Sequence, residues 1–162
     1  MANLRMGEIV KVLVDGYGLP VNSECVVTGF NVHGVIVSTV KYGSFERRSS
    51  VAAFALRKLN MPKAEMIWNR IRHKEDMISR AMQRWGVKSV LLEPTLVQGE
   101  IFKVTVAKDD EIVPVRAGSV GEAMKMAFML GYFMRFSVKE LYQDRDEVLR
   151  ELDQLRETVR VL

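Results

Sequence analysis

LYQDRDEVLRELDQLRETVRVL, residues 141–162, is the stretch on which the reading of the fold turns. Leu141, Val148, Leu155 and Leu162 fall seven residues apart, Leu152 and Val159 fill the alternate positions, and Arg145 is the one polar break. That 4-then-3 spacing keeps an apolar stripe facing another helix along its length. The remaining positions are mostly charged. The stretch therefore predicts a coiled-coil-like tail helix whose seam, Leu141, Val148, Leu152, Leu155, Val159 and Leu162, is an oligomer or partner interface. Three heptads are short for an isolated coiled coil, so the rest of the chain has to help hold the interface. Ser137-Val138-Lys139-Glu140 reads as the capping box that opens this helix.

Working upstream, residues 120–136 are apolar nearly all round and are opened by a second capping box, Ser119-Val120-Gly121-Glu122. A helix of that kind has to be covered on most sides. Before it, residues 101–107 and 112–117 read as a hairpin turning at Lys108-Asp109-Asp110-Glu111. Pro114 cannot donate to a ladder, which assigns its strand to an edge or a bulge. Residues 87–92 read as a strand ended by Glu93-Pro94.

Residues 62–85 read as one helix, with Asn60 as cap, Pro62 in its first turn and Gly86 at its end. Ile67, Ile71, Ile78, Met82 and Trp85 share a narrow arc at 100° per residue. Arg70, His73, Lys74, Arg80 and Arg84 lie beside it as a cationic ridge, with Lys63 and Lys88 near its ends.

The first sixty residues are β-rich. Residues 8–14, 25–30, 35–40 and 45–48 read as strands, Asn31-Val32-His33-Gly34 as a hairpin connection, and Asp15 to Pro20 as a turn cluster. Residues 50–59 fit a short helix or a helical turn followed by a strand. The residues Met6-Gly7-Glu8-Ile9-Val10-Lys11-Val12, Val26-Val27-Thr28-Gly29-Phe30, Gly34-Val35-Ile36-Val37 and Ala55-Leu56-Arg57-Lys58-Leu59 together resemble an SH3-like small barrel, including the KOW-type modules. The resemblance covers the first third of the chain. It implies a binding module and leaves RNA, DNA and protein open as ligands.

Composition sets the outer bounds. At 162 residues, 48 % hydrophobic and 27 % charged, the chain suits one globular domain or two small modules sharing a core. The start lacks the long apolar core of a signal peptide, and charges interrupt the most apolar segment, so neither export nor membrane insertion is expected. A single cysteine excludes an internal disulfide and fits the cytoplasm. Residues 1–90 hold 14 Lys/Arg against 7 Asp/Glu, whereas residues 91–162 hold 10 against 13. The basic half favours an anionic partner.

Weighed as sites, most motifs are structural. Gly16-x-Gly18 lacks the third glycine and the following helix of a dinucleotide fold. The Arg116-Ala117-Gly118-Ser119 helix entry could hold an anion, but Glu122 repels one and satisfies the cap. His33, His73 and Cys25 have no zinc spacing, and Cys25 with His33 as a catalytic pair yields to a buried structural thiol. The acidic tip 109–111 lacks the ligand spacing of a calcium loop. No acid–base pair stands out, and no metal or cofactor is expected.

The expected fold is α+β: an SH3-like small β-barrel over 1–60, an amphipathic basic connecting helix over 61–86, a β-hairpin plus apolar helix over 87–136, and a heptad tail helix over 137–162. The expected function is non-enzymatic nucleic-acid binding by an oligomer. RNA or DNA phosphates would meet Arg70, His73, Lys74, Arg80 and Arg84 on the helix and Arg47 and Arg48 on the barrel, where Tyr42 and Phe45 could stack bases. The alternative is an adaptor or structural protein docking a protein partner through the tail. A further alternative is an enzyme without a recognisable motif. Ile112-Val113-Pro114-Val115 and the small-residue helix entry after it resemble part of the bifunctional nuclease domain, but without a matching acidic constellation no catalytic residue carries over.

Overall fold

The computed structural model describes residues 4–41, 44–94, 102–108, 111–136 and 138–160. It is an α+β fold with two antiparallel sheets and five helices among these residues.

The first sheet contains β1 (Ile9–Val12), β2 (Glu24–Asn31), β3 (Gly34–Lys41), β4 (Ser44–Val51) and β5 (Leu56–Lys58), in the order β4-β3-β2-β1-β5. The helical-turn-then-strand reading of residues 50–59 holds: a 3-10 turn over Ala53–Ala55 leads into β5. No pairing closes β4 onto β5 among the described residues, so the element is an open five-stranded sheet and not a closed barrel. Strand alternation divides its side chains between two cores. Val10, Val12, Cys25, Val27, Val35, Val37 and Val51 form a small core of their own, whereas Ile9 and Val26 point the other way and join the main core. The β2–β3 turn falls where expected. Gly34 takes a φ of +143° there, and a Cβ would stand 2.5 Å from the Val51 carbonyl oxygen.

The second sheet contains β6 (Val87–Pro94), β7 (Phe102–Lys108) and β8 (Glu111–Ala117), in the order β6-β7-β8. Pro114 accordingly lies on an edge strand. Strand β6 runs on through Glu93 and Pro94, past the expected break. The hairpin tip at 109–110 and Ile101 lie outside the described residues. Helix α3 (Val120–Arg135) packs on β7 and β8, with α1 (Pro62–Ile71) and α2 (Glu75–Arg84) against its other side. Most of its girth is covered: Ala123, Ala127, Phe128, Leu130, Tyr132 and Met134 are buried, while Met124 and Met126 are half-buried and Val120 is exposed at its start. Ser119 caps it, its hydroxyl accepting from Glu122 N at 3.1 Å.

Two sequence readings need correction. The expected single helix over 62–85 is broken between Ile71 and Glu75. Arg70 and Lys74 repel at i,i+4, while Arg70 ends one helix and Glu75 with Asp76 starts the next, each complementing a helix dipole. The tail is broken as well, into α4 (Val138–Leu141) and α5 (Arg145–Arg160), and the Asp144 side chain accepts from Glu147 N at 3.1 Å at the new start.

The seam itself is occupied from within. Leu141, Val148, Leu152 and Leu155 are buried in the main core, Val159 packs against it, and α5 lies across α1 and α2. The stripe that reads as an intermolecular interface thus meets helices of its own chain. Leu162 and Ser137 lie outside the described residues.

Candidate functional site

The cations of the ridge share neither one row nor one environment. Arg70, His73 and Lys74, joined by Arg72, stand exposed at the elbow between α1 and α2; Arg80 is half-buried and Arg84 exposed on α2. Arg84 donates from Nη2 to Gln154 Oε1 at 2.6 Å, a contact that ties α2 to α5. Among the described residues no carboxylate lies within ion-pair reach of Arg70, Arg72, His73, Lys74 or Arg80.

Lys63 leaves the ridge altogether. It is 3 % exposed, donates from Nζ to Gln143 Oε1 at 2.6 Å, and pairs with Glu151 at 3.4 Å and Glu147 at 3.6 Å. Two carboxylates of the acidic tail are thereby committed to an interior lysine and not to the exposed cations. Sequence spacing carried this signal: Lys63 stands at i−4 from Ile67 and i−8 from Ile71, on the buried stripe.

Arg47 and Arg48 are exposed on β4, the edge strand of the first sheet. A cleft of about 400 Å³ opens between this sheet and the second, lined by Thr28, Ser38, Phe45, Glu46, Arg47, Arg48, Ile112 and Pro114. Arg47 N donates to Thr39 Oγ1 at 3.0 Å, and Ser38, which faces Arg48 in the ladder, is 3.5 Å from the Thr28 hydroxyl. The cleft thus gathers residues of β2, β3, β4 and β8, with Arg48 and Phe45 on the same face of β4 and the carboxylate-bearing Glu46 beside them. Thr28, Ser38, Ile112 and Pro114 were not among the expected site residues, because only the folded contact between the two sheets brings them there. Tyr42 lies outside the described residues.

A second groove, of about 500 Å³, is mainly apolar and runs between α2, β6 and the start of α3, over Trp68, Ile78, Met82, Val90 and Met124. A third cavity, of about 350 Å³, is polar and lies between α1, the end of α3 and α5. Lys63, Arg84, Arg135 and Arg150 line it together with three carboxylates, Glu140, Glu147 and Glu151, and with Trp85. Trp85 Nε1 and the Tyr132 hydroxyl are buried and make no hydrogen bond of full geometry among the described residues. Burial, with Glu151 and Glu147 close by, holds the Tyr132 phenol far above its ordinary pKa.

The remaining titratable groups are not poised for catalysis. Burial, assisted by the charge of Glu24, pushes the Cys25 thiol up to about 12, so it stays protonated at neutral pH. His33 sits at the opposite end of β2, in the β2–β3 turn. The six residues from Cys25 to Asn31 span roughly 20 Å of strand, which separates the two side chains beyond any proton transfer. Burial also raises Glu24, against the opposing charge of Lys11. Among the described residues no three His, Cys, Asp or Glu side chains gather as metal ligands, and no helix is long and apolar enough to cross a membrane.

Compared with protein-family models, with curated proteins and with solved structures, the chain matches none of them.

Proposed function

We propose that this chain is a non-enzymatic nucleic-acid-binding protein with a preference for single strands. The observation that carries the reading is the state of its cations. Arg47, Arg48, Arg70, Arg72, His73 and Lys74 are exposed and, among the described residues, have no carboxylate partner, while Glu147 and Glu151 are committed to Lys63. Unpaired cations attract a phosphate backbone and release its counterions on binding.

The cleft at β4 supports the preference for single strands. Arg47 and Arg48 are exposed at the cleft and at hand for phosphates, and the edge of the half-buried Phe45, which packs on the main core, borders the same opening, room that an unstacked base can enter. A duplex keeps its bases stacked and has no comparable way in. The strand order, in which β5 returns beside β1 after a 3-10 turn, supports the SH3-like resemblance and with it a binding module. With the tail seam filled by the chain's own helices, the reading needs no oligomer.

The test is fluorescence anisotropy of labelled single-stranded RNA, single-stranded DNA and duplex DNA, each at low and moderate salt. Binding is expected to weaken steeply with salt and to favour single strands. Arg47→Glu with Arg48→Glu should lower single-strand affinity by at least about tenfold, since each lost phosphate contact also flattens the salt dependence. Reversal of Arg70, Arg72 and Lys74 should weaken all three ligands alike. Retained affinity in both variants, or no binding at low salt, overturns the reading.

A further inference from the structure

Strand β6 is the open edge of the second sheet. Among the described residues no strand pairs with its outer side, whereas the opposite edge, β8, lies against β2 of the first sheet. The backbone donors and acceptors that β6 turns away from β7 are therefore free to take another strand. A bulge between Val87 and Ser89 begins the open run, Pro94, which has no N–H, ends it, and Val90-Leu91-Leu92 fills its middle. Leu91 is 53 % exposed and Leu92 38 %. The edge strand β4, by comparison, carries Glu46, Arg47 and Arg48, charges of the kind that keep an edge from pairing.

The ladder with β7 sets the two faces of β6. Val90 and Leu92 stand opposite Val106 and Val104, both buried, and so lie on the helix side of the sheet; Ser89, Leu91 and Glu93 lie on the other. On the helix side the apolar groove of about 500 Å³ runs beside Val90, over Trp68, Ile78, Met82 and Met124. A residue laid opposite Val90 on an added strand shares that face and meets the groove.

The strand that fits this edge is β6 itself. A two-fold axis normal to the sheet pairs antiparallel strands so that each residue faces one from the same face. With Leu91 on the axis, Val90 faces the partner's Leu92, and the partner's Glu93 comes opposite Ser89, next to Lys88. Each apolar residue of the run then meets an apolar one, and each acid comes beside a base, twice by symmetry. Moving the axis to Val90 sets Leu91 against the partner's Ser89, and moving it to Leu92 sets Leu91 against the partner's Glu93. Neither Lys88 nor Glu93 has an ion pair within the chain among the described residues.

We propose that two copies of this chain pair antiparallel through β6, Leu91 meeting Leu91 on the two-fold axis, to form one six-stranded sheet in which the partner's Leu92 covers the apolar groove. The surface is separate from the β4 cleft and uses none of its residues. So short a strand pair makes a small interface of the weak, transient class, so the chain is a monomer at the micromolar concentrations of optical unfolding and pairs only when concentrated.

Sedimentation velocity from about 1 µM to about 1 mM tests this, with the mass expected to rise from one chain to two and to stop there, because pairing uses up the edge. Leu91→Lys sets two ammonium groups face to face on the axis and should raise the dissociation constant by at least about tenfold. Leu91 is exposed, and an unchanged melting temperature at micromolar concentration shows that the variant has folded. Lys88→Glu and Glu93→Lys should each weaken association, and the two together should recover it, since the exchange restores both pairs of opposite charges. Arg47→Glu with Arg48→Glu should leave it unaltered. A chain that stays monomeric throughout overturns the proposal. So does a mass that passes two chains, a dimer indifferent to Leu91→Lys, or a charge-exchanged protein that associates no better than the single variants.

Discussion

Replacing Leu155 with alanine separates the two lives that the tail seam could lead. In the structure Leu155 is 1 % exposed and belongs to the main core, on a helix that crosses α1 and α2 of the same chain. Truncation there removes buried methyl groups and leaves a cavity inside one molecule, at a cost of about 3 kcal/mol. For a chain of this length each kcal/mol moves the melting temperature by about 2–4 °C, which gives a fall of roughly 6–12 °C. Leu149, one turn and a half earlier on the same helix, is 39 % exposed, so Leu149→Ala should stay within about 0.5 kcal/mol of the parent.

The assay is thermal unfolding followed by circular dichroism at two protein concentrations tenfold apart, with mass by light scattering on the same samples. If the seam closes within the chain, the midpoint is independent of concentration and the mass does not change when Leu155 is cut back. A Leu155→Ala protein that keeps its melting temperature while its mass drops would refute the intramolecular seam and restore the coiled-coil interface. So would a parent midpoint that falls on dilution.

Other consequences follow from single contacts. Lys63→Met strands Glu147 and Glu151 beside a buried site; a loss of about 3 kcal/mol is expected in urea unfolding, the low end for a broken interior pair because Glu147 reaches solvent. Gly34→Ala forces a Cβ against the Val51 carbonyl at a positive φ and should cost about 2–3 kcal/mol, measured the same way. The Cys25 thiol holds its proton in the folded state up to about 12, against 9.0 for the free group, so the unfolded chain loses that proton first as pH rises. Stability is therefore complete below pH 9 and declines between 9 and 12, and Cys25→Ala should show a shallower decline over that window in pH-dependent melting. Native Cys25 should also resist a maleimide that labels the unfolded chain at once.

Local patterns were legible where a residue has one physical use. Pro114 announced an edge, Ser119 with Glu122 announced a helix start, and the apolar girth of residues 120–136 announced a helix covered on most sides. The elbow at Arg72–Lys74 was written in the charges, since Arg70, Arg72 and Lys74 run directly into Glu75 and Asp76, yet hydrophobic periodicity alone continues across it. Sheet closure, by contrast, depends on how far strands coil, which alternation does not encode. The β4 cleft depends on where β8 comes to lie against the first sheet, a contact fixed by packing at places such as Gly7, where an added Cβ would stand 2.7 Å from the Val115 side chain.

The heptad shows why periodicity names a face and not its partner. A stripe at a and d positions states that one side of a helix is buried; a groove formed by two other helices satisfies it as well as a second copy does. What distinguishes the two is the polar residue beside the stripe. In a solvent-exposed coiled coil, Glu147 and Glu151 would face water or a flanking cation on the partner helix. Here they flank the seam on the side where Lys63, spaced on the buried stripe of α1, needs a counter-charge. A lysine placed on an apolar arc and a pair of glutamates four apart beside another are complementary defects, each unfavourable alone. Their pairing selects the intramolecular docking of α5 and withholds two carboxylates from the cations outside, so the charge separation visible along the sequence survives in the fold as an unneutralised basic surface.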